Sequence, residues 1–245
     1  MSIWIGLAML MAVFTTSAIS GVFGMAGGLI LLALLLIILP VGTAIAVQGV
    51  IQIVANGSRA ILSRKFIDWR ILGTMMLGLA TAGVILWIVR YTPALATVYV
   101  AVGLMPILVW IPASWLQLDA AKPVHAFVCG FVGGGLNLTV GVSGPSIDIF
   151  FIRTTLDRRT VVATKAAMQV LSHIAKVVFY WQATMVLTSI EWGAVALAAP
   201  FAIAGTSAGY WVLQRMNDVN FRVWMRWIVT GIGLYYLVQG ILLLI

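Results

Sequence analysis

Apolar residues run in long stretches along this chain, and polar residues collect in the short gaps between them. The stretches fall at 3–19, 29–39, 43–62, 71–89, 94–112, 123–136 with 145–153, 159–183, 192–213 and 221–244. A helix rising 1.5 Å per residue needs roughly 20 residues to cross a hydrocarbon core, and six of the stretches have about that length. The pattern predicts membrane-spanning helices. Two further apolar runs are split by glycine-rich breaks, Gly21 to Gly28 and Gly133 to Pro145. Such breaks free backbone groups, which membrane depth tolerates only where protein buries them or a cavity receives them.

Laying the second break on the first, 117 residues apart, exposes an internal repeat. Gly24 falls on Gly141, Gly27 on Gly144, Gln52 on Gln169, Asn56 on His173 and Arg59 on Lys176. After small insertions, Asp68-Trp69 matches Glu191-Trp192, and Thr81-Ala82-Gly83 matches Ser207-Ala208-Gly209. The expected organisation is one transmembrane domain over 1–245, with repeats at about 1–117 and 118–245. Paired broken segments in two halves are the sequence pointer to a transporter site.

Composition sharpens the class. Hydrophobic residues make up 63% of the chain and charged ones 8%, with a mean hydropathy of +1.13; soluble domains carry about 25% charged residues. Most of the surface must therefore face lipid. The net charge of +8 resides in short loops, as cytoplasmic Lys and Arg do, which argues against nucleic acid as a partner. The single cysteine, Cys129, provides neither a disulfide framework nor a thiolate metal site. The apolar N-terminus has no basic n-region and leads into another apolar run, so it reads as retained.

Corresponding loops carry opposite charge bias. Arg59, Arg64, Lys65 and Arg70 follow the third stretch, whereas the equivalent loop near Glu191 has no Lys or Arg. An inverted repeat, each half a broken segment that returns to its own side plus three helices, accounts for this. It puts Lys122, Arg153, Arg158, Arg159, Arg215, Arg222 and Arg226 with that first cluster at the cytoplasm, and Arg90 and both termini outside. Eight plain crossings would divide the charges between the faces.

Chemistry concentrates on two stripes. Lys165, Gln169, His173 and Lys176 share one helical face, and Gln48, Gln52, Asn56 and Arg59 repeat the spacing. Charge at mid-bilayer is costly, so both stripes should face the protein interior or a cavity. Together they predict a donor-rich, net positive corridor suited to an oxyanion. Snorkelling of Lys165 and Arg59, and plain interhelical hydrogen bonding of the amides, are the simpler alternatives. The breaks would add helix N-termini and backbone N–H groups, with Gly27, Gly28, Ser143, Gly144 and Ser146 as the cradle; close helix packing is the competing role for the glycines. Asp148 would serve either as a proton-coupling carboxyl or as a counter-ion to Lys165 or Lys176.

No HExxH, GxSxG or P-loop pattern occurs, and two histidines with one cysteine make a metal centre or an enzyme an unpromising reading. The segment Ser20-Gly21-Val22-Phe23-Gly24-Met25-Ala26-Gly27-Gly28-Leu29 resembles the G-x-x-G-x-G-G-G run of the TauE/SafE family of sulfite and organosulfonate exporters. The second break, Gly141-Val142-Ser143-Gly144-Pro145-Ser146-Ile147-Asp148, departs from it, with Ser and Pro where glycines are usual. The resemblance implies an all-α transporter of the prokaryotic inner membrane that exports sulfite or an organosulfonate such as sulfoacetate, with no cofactor. Proton coupling is expected, and a homodimer is left open. A passive anion channel or a subunit of a membrane assembly is the alternative.

Overall fold

The computed structural model describes residues 3–23, 26–112, 115, 118–151, 154–213, 215 and 218–245. Gly24, Met25 and Arg153 of the sequence reading lie outside the described residues. Among the described residues the fold is all-helical, with no strand.

The first half contains α1 (Ile3–Phe23), α2 (Ala26–Ile38), α3 (Val41–Leu62), α4 (Trp69–Ile88), α5 (Leu95–Leu104) and α6 (Pro106–Trp110). The second contains α7 (Pro123–Val140), α8 (Gly144–Phe151), α9 (Arg158–Phe179), α10 (Trp181–Thr184), α11 (Ser189–Leu213) and α12 (Asp218–Leu242). Among the described residues, five helices are long and apolar enough to cross a membrane: α3, α4, α7, α9 and α11. Large apolar side chains such as Leu77, Trp87, Leu197 and Leu234 point outward, as lipid-facing surfaces require. This is a multi-pass membrane protein.

Local chemistry sets the boundaries. Asp68 caps α4 by accepting from the backbone N–H groups of Arg70 and Ile71, both at 3.0 Å. Asp157 caps α9 in the same way; hydrogen bonds from Thr160 hold its carboxyl below the usual range. Pro106 lacks an N–H and divides the expected 94–112 stretch into α5 and α6.

Both breaks are shorter than the sequence suggested. Gly21 to Phe23 remain in α1, and Gly133 to Gly135 remain in α7. A helical backbone satisfies its own hydrogen bonds, so glycines at membrane depth stay helical unless something else takes those bonds. They serve packing instead: a Cβ on Gly21 would stand 2.9 Å from Gly209 Cα, and one on Gly134 2.5 Å from Leu79. The second break narrows to Gly141–Ser143, and Gly141 adopts φ +85°, a left-handed C-cap that suits glycine. The 18-residue α7, the first arm of a segment expected to be re-entrant, is itself of spanning length.

Helix neighbours recur between the halves. α1 packs on α11 as α7 packs on α4, while α3 packs on α9 and α5 on α12. Helices α3 and α9 each run 22 residues, with bounds 117 residues apart. They are antiparallel: Thr43 Oγ1 donates to Ala183 O at 3.0 Å, whereas Gly49 lies against Lys176 and Val177.

Candidate functional site

Where α3 and α9 meet the two breaks, a small cavity of about 30 Å³ opens, room for about two waters. Gly28 and Leu29 of α2, Gln48, Gln52 and Asn56 of α3, Val142, Ser143 and Gly144 before and at the start of α8, and Gln169 and His173 of α9 line it. The two second arms thus bring their first turns to one place. Helix N-termini present unpaired N–H groups and the positive end of the dipole, so these two ends put positive potential at the cavity. Among the described residues, no carboxylate lines it.

The amides are oriented by partners behind them. Gln48 Oε1 accepts from Lys176 Nζ, leaving Nε2 to donate to Gly28 O at 3.3 Å at the cavity edge. Gln52 Oε1 accepts from Asn56 Nδ2 at 3.1 Å, which turns Gln52 Nε2 toward Gly28. Gly28 has no side chain for a physical reason: a Cβ there would stand 2.8 Å from Gln52 Nε2. Asn56 Oδ1 and His173 Nδ1 are buried and have no hydrogen-bond partner among the described residues. These two residues occupy equivalent positions in the repeat.

Other predicted site residues sit close by without lining the cavity. Lys176 is fully buried; beyond Gln48, its Nζ donates to Gly141 O at 2.9 Å and to Asn137 Oδ1 at 3.4 Å. Arg59 Nη2 donates to Ser20 O at 3.0 Å. Both side chains therefore take up carbonyls at the ends of the first arms, α7 and α1, which a helix leaves unpaired. Lys165 forms an ion pair with Asp148, both partly buried; this is the counter-ion arrangement the sequence offered beside a coupling role. Ser146 spends its hydroxyl on Ser143 O at 2.7 Å. Gly27 packs α2 on α1, where a Cβ would collide with Thr16 O.

Asn137 was missed by sequence reasoning. It donates to Ser172 Oγ at 2.7 Å and accepts from Lys176, joining α7 to α9. Its signal was available: Asn137 lies 117 residues after Ser20, whose carbonyl receives Arg59.

The family model described as Sulfite exporter TauE/SafE matches residues 9–236, nearly the whole chain and both arms of each break. The chain belongs to the TauE/SafE family. Its members are membrane transporters, and the family implies export of sulfite or a related anion. No curated protein and no solved structure matches the chain.

Proposed function

We propose that this protein exports a small sulfur-containing oxyanion, sulfite or an organosulfonate, across the prokaryotic inner membrane, coupled to a proton gradient. One observation carries the reading: the first turns of α2 and α8 and the amides of Gln48, Gln52 and Gln169 converge on one cavity that, among the described residues, no carboxylate lines. Donors fixed in place around a recess stabilise an oxyanion without reorganising.

The architecture we propose is one domain of two inverted repeats, about 1–117 and 118–245, with both termini outside. Support comes from the antiparallel pair of equivalent helices, α3 and α9. A two-fold axis that exchanges antiparallel helices lies perpendicular to them, hence in the plane of the membrane they cross. Lys176 and Arg59 then act as positioning residues that hold the first arms. Lys165 and Asp148 balance each other; a coupling role for Asp148 requires that pair to open.

Reconstitution into liposomes tests the reading. Efflux is measured for sulfite, sulfoacetate, sulfolactate, taurine, sulfate and chloride, with and without a pH gradient. Saturable sulfite or sulfonate flux that responds to the gradient is expected. Chloride flux above about 10⁶ ions per second would select a channel instead, because conformational cycles on the μs–ms scale are slower.

A further inference from the structure

We propose that the cavity recognises its oxyanion in a singly protonated form, with the substrate's O–H donating to Asn56 Oδ1. The inference rests on the oxyanion reading above and names the ionic form. Asn56 is 2% exposed, and its amide has one workable orientation. Its Nδ2 donates to Gln52 O and to Gln52 Oε1, each at 3.1 Å. Exchanging the amide's two ends would set Oδ1 against two acceptors, so Oδ1 stays on the other side, unpartnered among the described residues, on a side chain that lines the cavity.

A fully ionised oxyanion offers only acceptors. It suits the Gln48 and Gln52 amides and the helix N-termini, but it leaves Asn56 Oδ1 facing lone pairs. A singly protonated oxyanion satisfies both kinds of wall: bare oxygens go to the donors and the hydroxyl goes to Asn56. Sites that bind a substrate hydroxyl reject analogues lacking it, because the buried partner is left unmade. Hydrogensulfite meets the requirement near neutral pH, whereas sulfate and simple sulfonates carry no such proton there.

The titratable and charged groups around Asn56 are few. His173 on α9 shares the wall, and its Nδ1 can accept or donate according to tautomer. Lys176 on α9 is held by Gln48, Asn137 and Gly141, and Arg59 on α3 by Ser20. Asp148 on α8 is paired with Lys165 on α9. Cys129 on α7 is buried, and Tyr236 on α12 donates to Leu29 O at 2.7 Å. The proton thus enters with the substrate and needs no carboxylate at the wall.

Equilibrium binding of sulfite to the purified full-length protein in detergent, without any gradient, tests this. Across the alkaline side of sulfite's second ionisation, the apparent Kd for total sulfite should rise about tenfold per pH unit. Methanesulfonate, a monoanion of similar size with methyl in place of hydroxyl, should bind at least about tenfold more weakly than sulfite at acid pH. His173→Gln should keep the pH trend, while Asn56→Ala and Asn56→Ser should bring the sulfite-to-methanesulfonate ratio toward one. A flat pH profile, equal affinity for methanesulfonate, or a trend abolished by His173→Gln overturns the proposal while the transport reading stands. No sulfite binding at any pH overturns this proposal, and no binding of methanesulfonate either overturns the transport reading with it.

Discussion

Lys176 donates from Nζ to the carbonyl oxygen of Gly141, 2.9 Å away, and so ties α9 to the end of the arm that precedes the second break. Left-handed Gly141 turns the chain there, and the lysine takes the carbonyl that the turn exposes to a buried setting. Arg59 does the equivalent for α1 through Ser20 O. An unpaired buried carbonyl costs about 1–3 kcal/mol, so these cations hold the breaks together before any substrate arrives.

Lys176→Met should therefore lower stability as well as transport. It leaves Gly141 O, Gln48 Oε1 and Asn137 Oδ1 without their shared donor. Thermal unfolding in detergent should shift down by roughly 5 °C or more. Transport by the surviving folded fraction should show a raised KM, because Gln48 is no longer oriented. Unchanged melting would contradict the capping role.

Gly27 and Gly28 are adjacent and should respond in opposite ways. Gly28→Ala places a methyl group in the cavity, 2.8 Å from Gln52 Nε2 and 3.4 Å from Gln48 Nε2. Those side chains can give way, so the protein should fold and lose transport by about tenfold or more. Gly27→Ala drives a Cβ into the backbone of α1 at Thr16. Expression and monodispersity, rather than KM, should suffer.

The Asp148–Lys165 pair can be separated from coupling by a double-mutant cycle. Asp148→Asn and Lys165→Met should each destabilise, and the double variant should recover about 1–3 kcal/mol of coupling. Should Asp148 move the proton, Asp148→Asn will retain sulfite binding but lose its dependence on a pH gradient. A charge-swapped variant that restores full gradient-driven transport would assign it to charge balance alone.

The inverted topology proposed above gives a labelling prediction. In a Cys129→Ala background, a cysteine at Lys65, between α3 and α4, should react from the cytoplasmic side. One at Thr188, in the equivalent loop before α11, should react from outside. Cys129 itself is buried and should resist an impermeant maleimide in the native protein. Labelling of both loops from one side would remove the inverted arrangement.

Much of this protein is legible in the order of its residues. Lipid imposes long apolar spans, and intramembrane polar groups are too costly to be scattered, so the stripes of Gln48 to Arg59 and Lys165 to Lys176 stood out as inward faces. The offset of 117 residues pairs Asn56 with His173, and both line the cavity. Tertiary structure alone decided which polar groups reach the cavity and which stand behind it. Helical spacing fixes a shared face but not how deep each side chain reaches, and a long lysine can turn toward whichever carbonyl is left unpaired. Lys176 turned to Gly141, Arg59 to Ser20 and Lys165 to Asp148, leaving neutral amides and helix N-termini around the cavity.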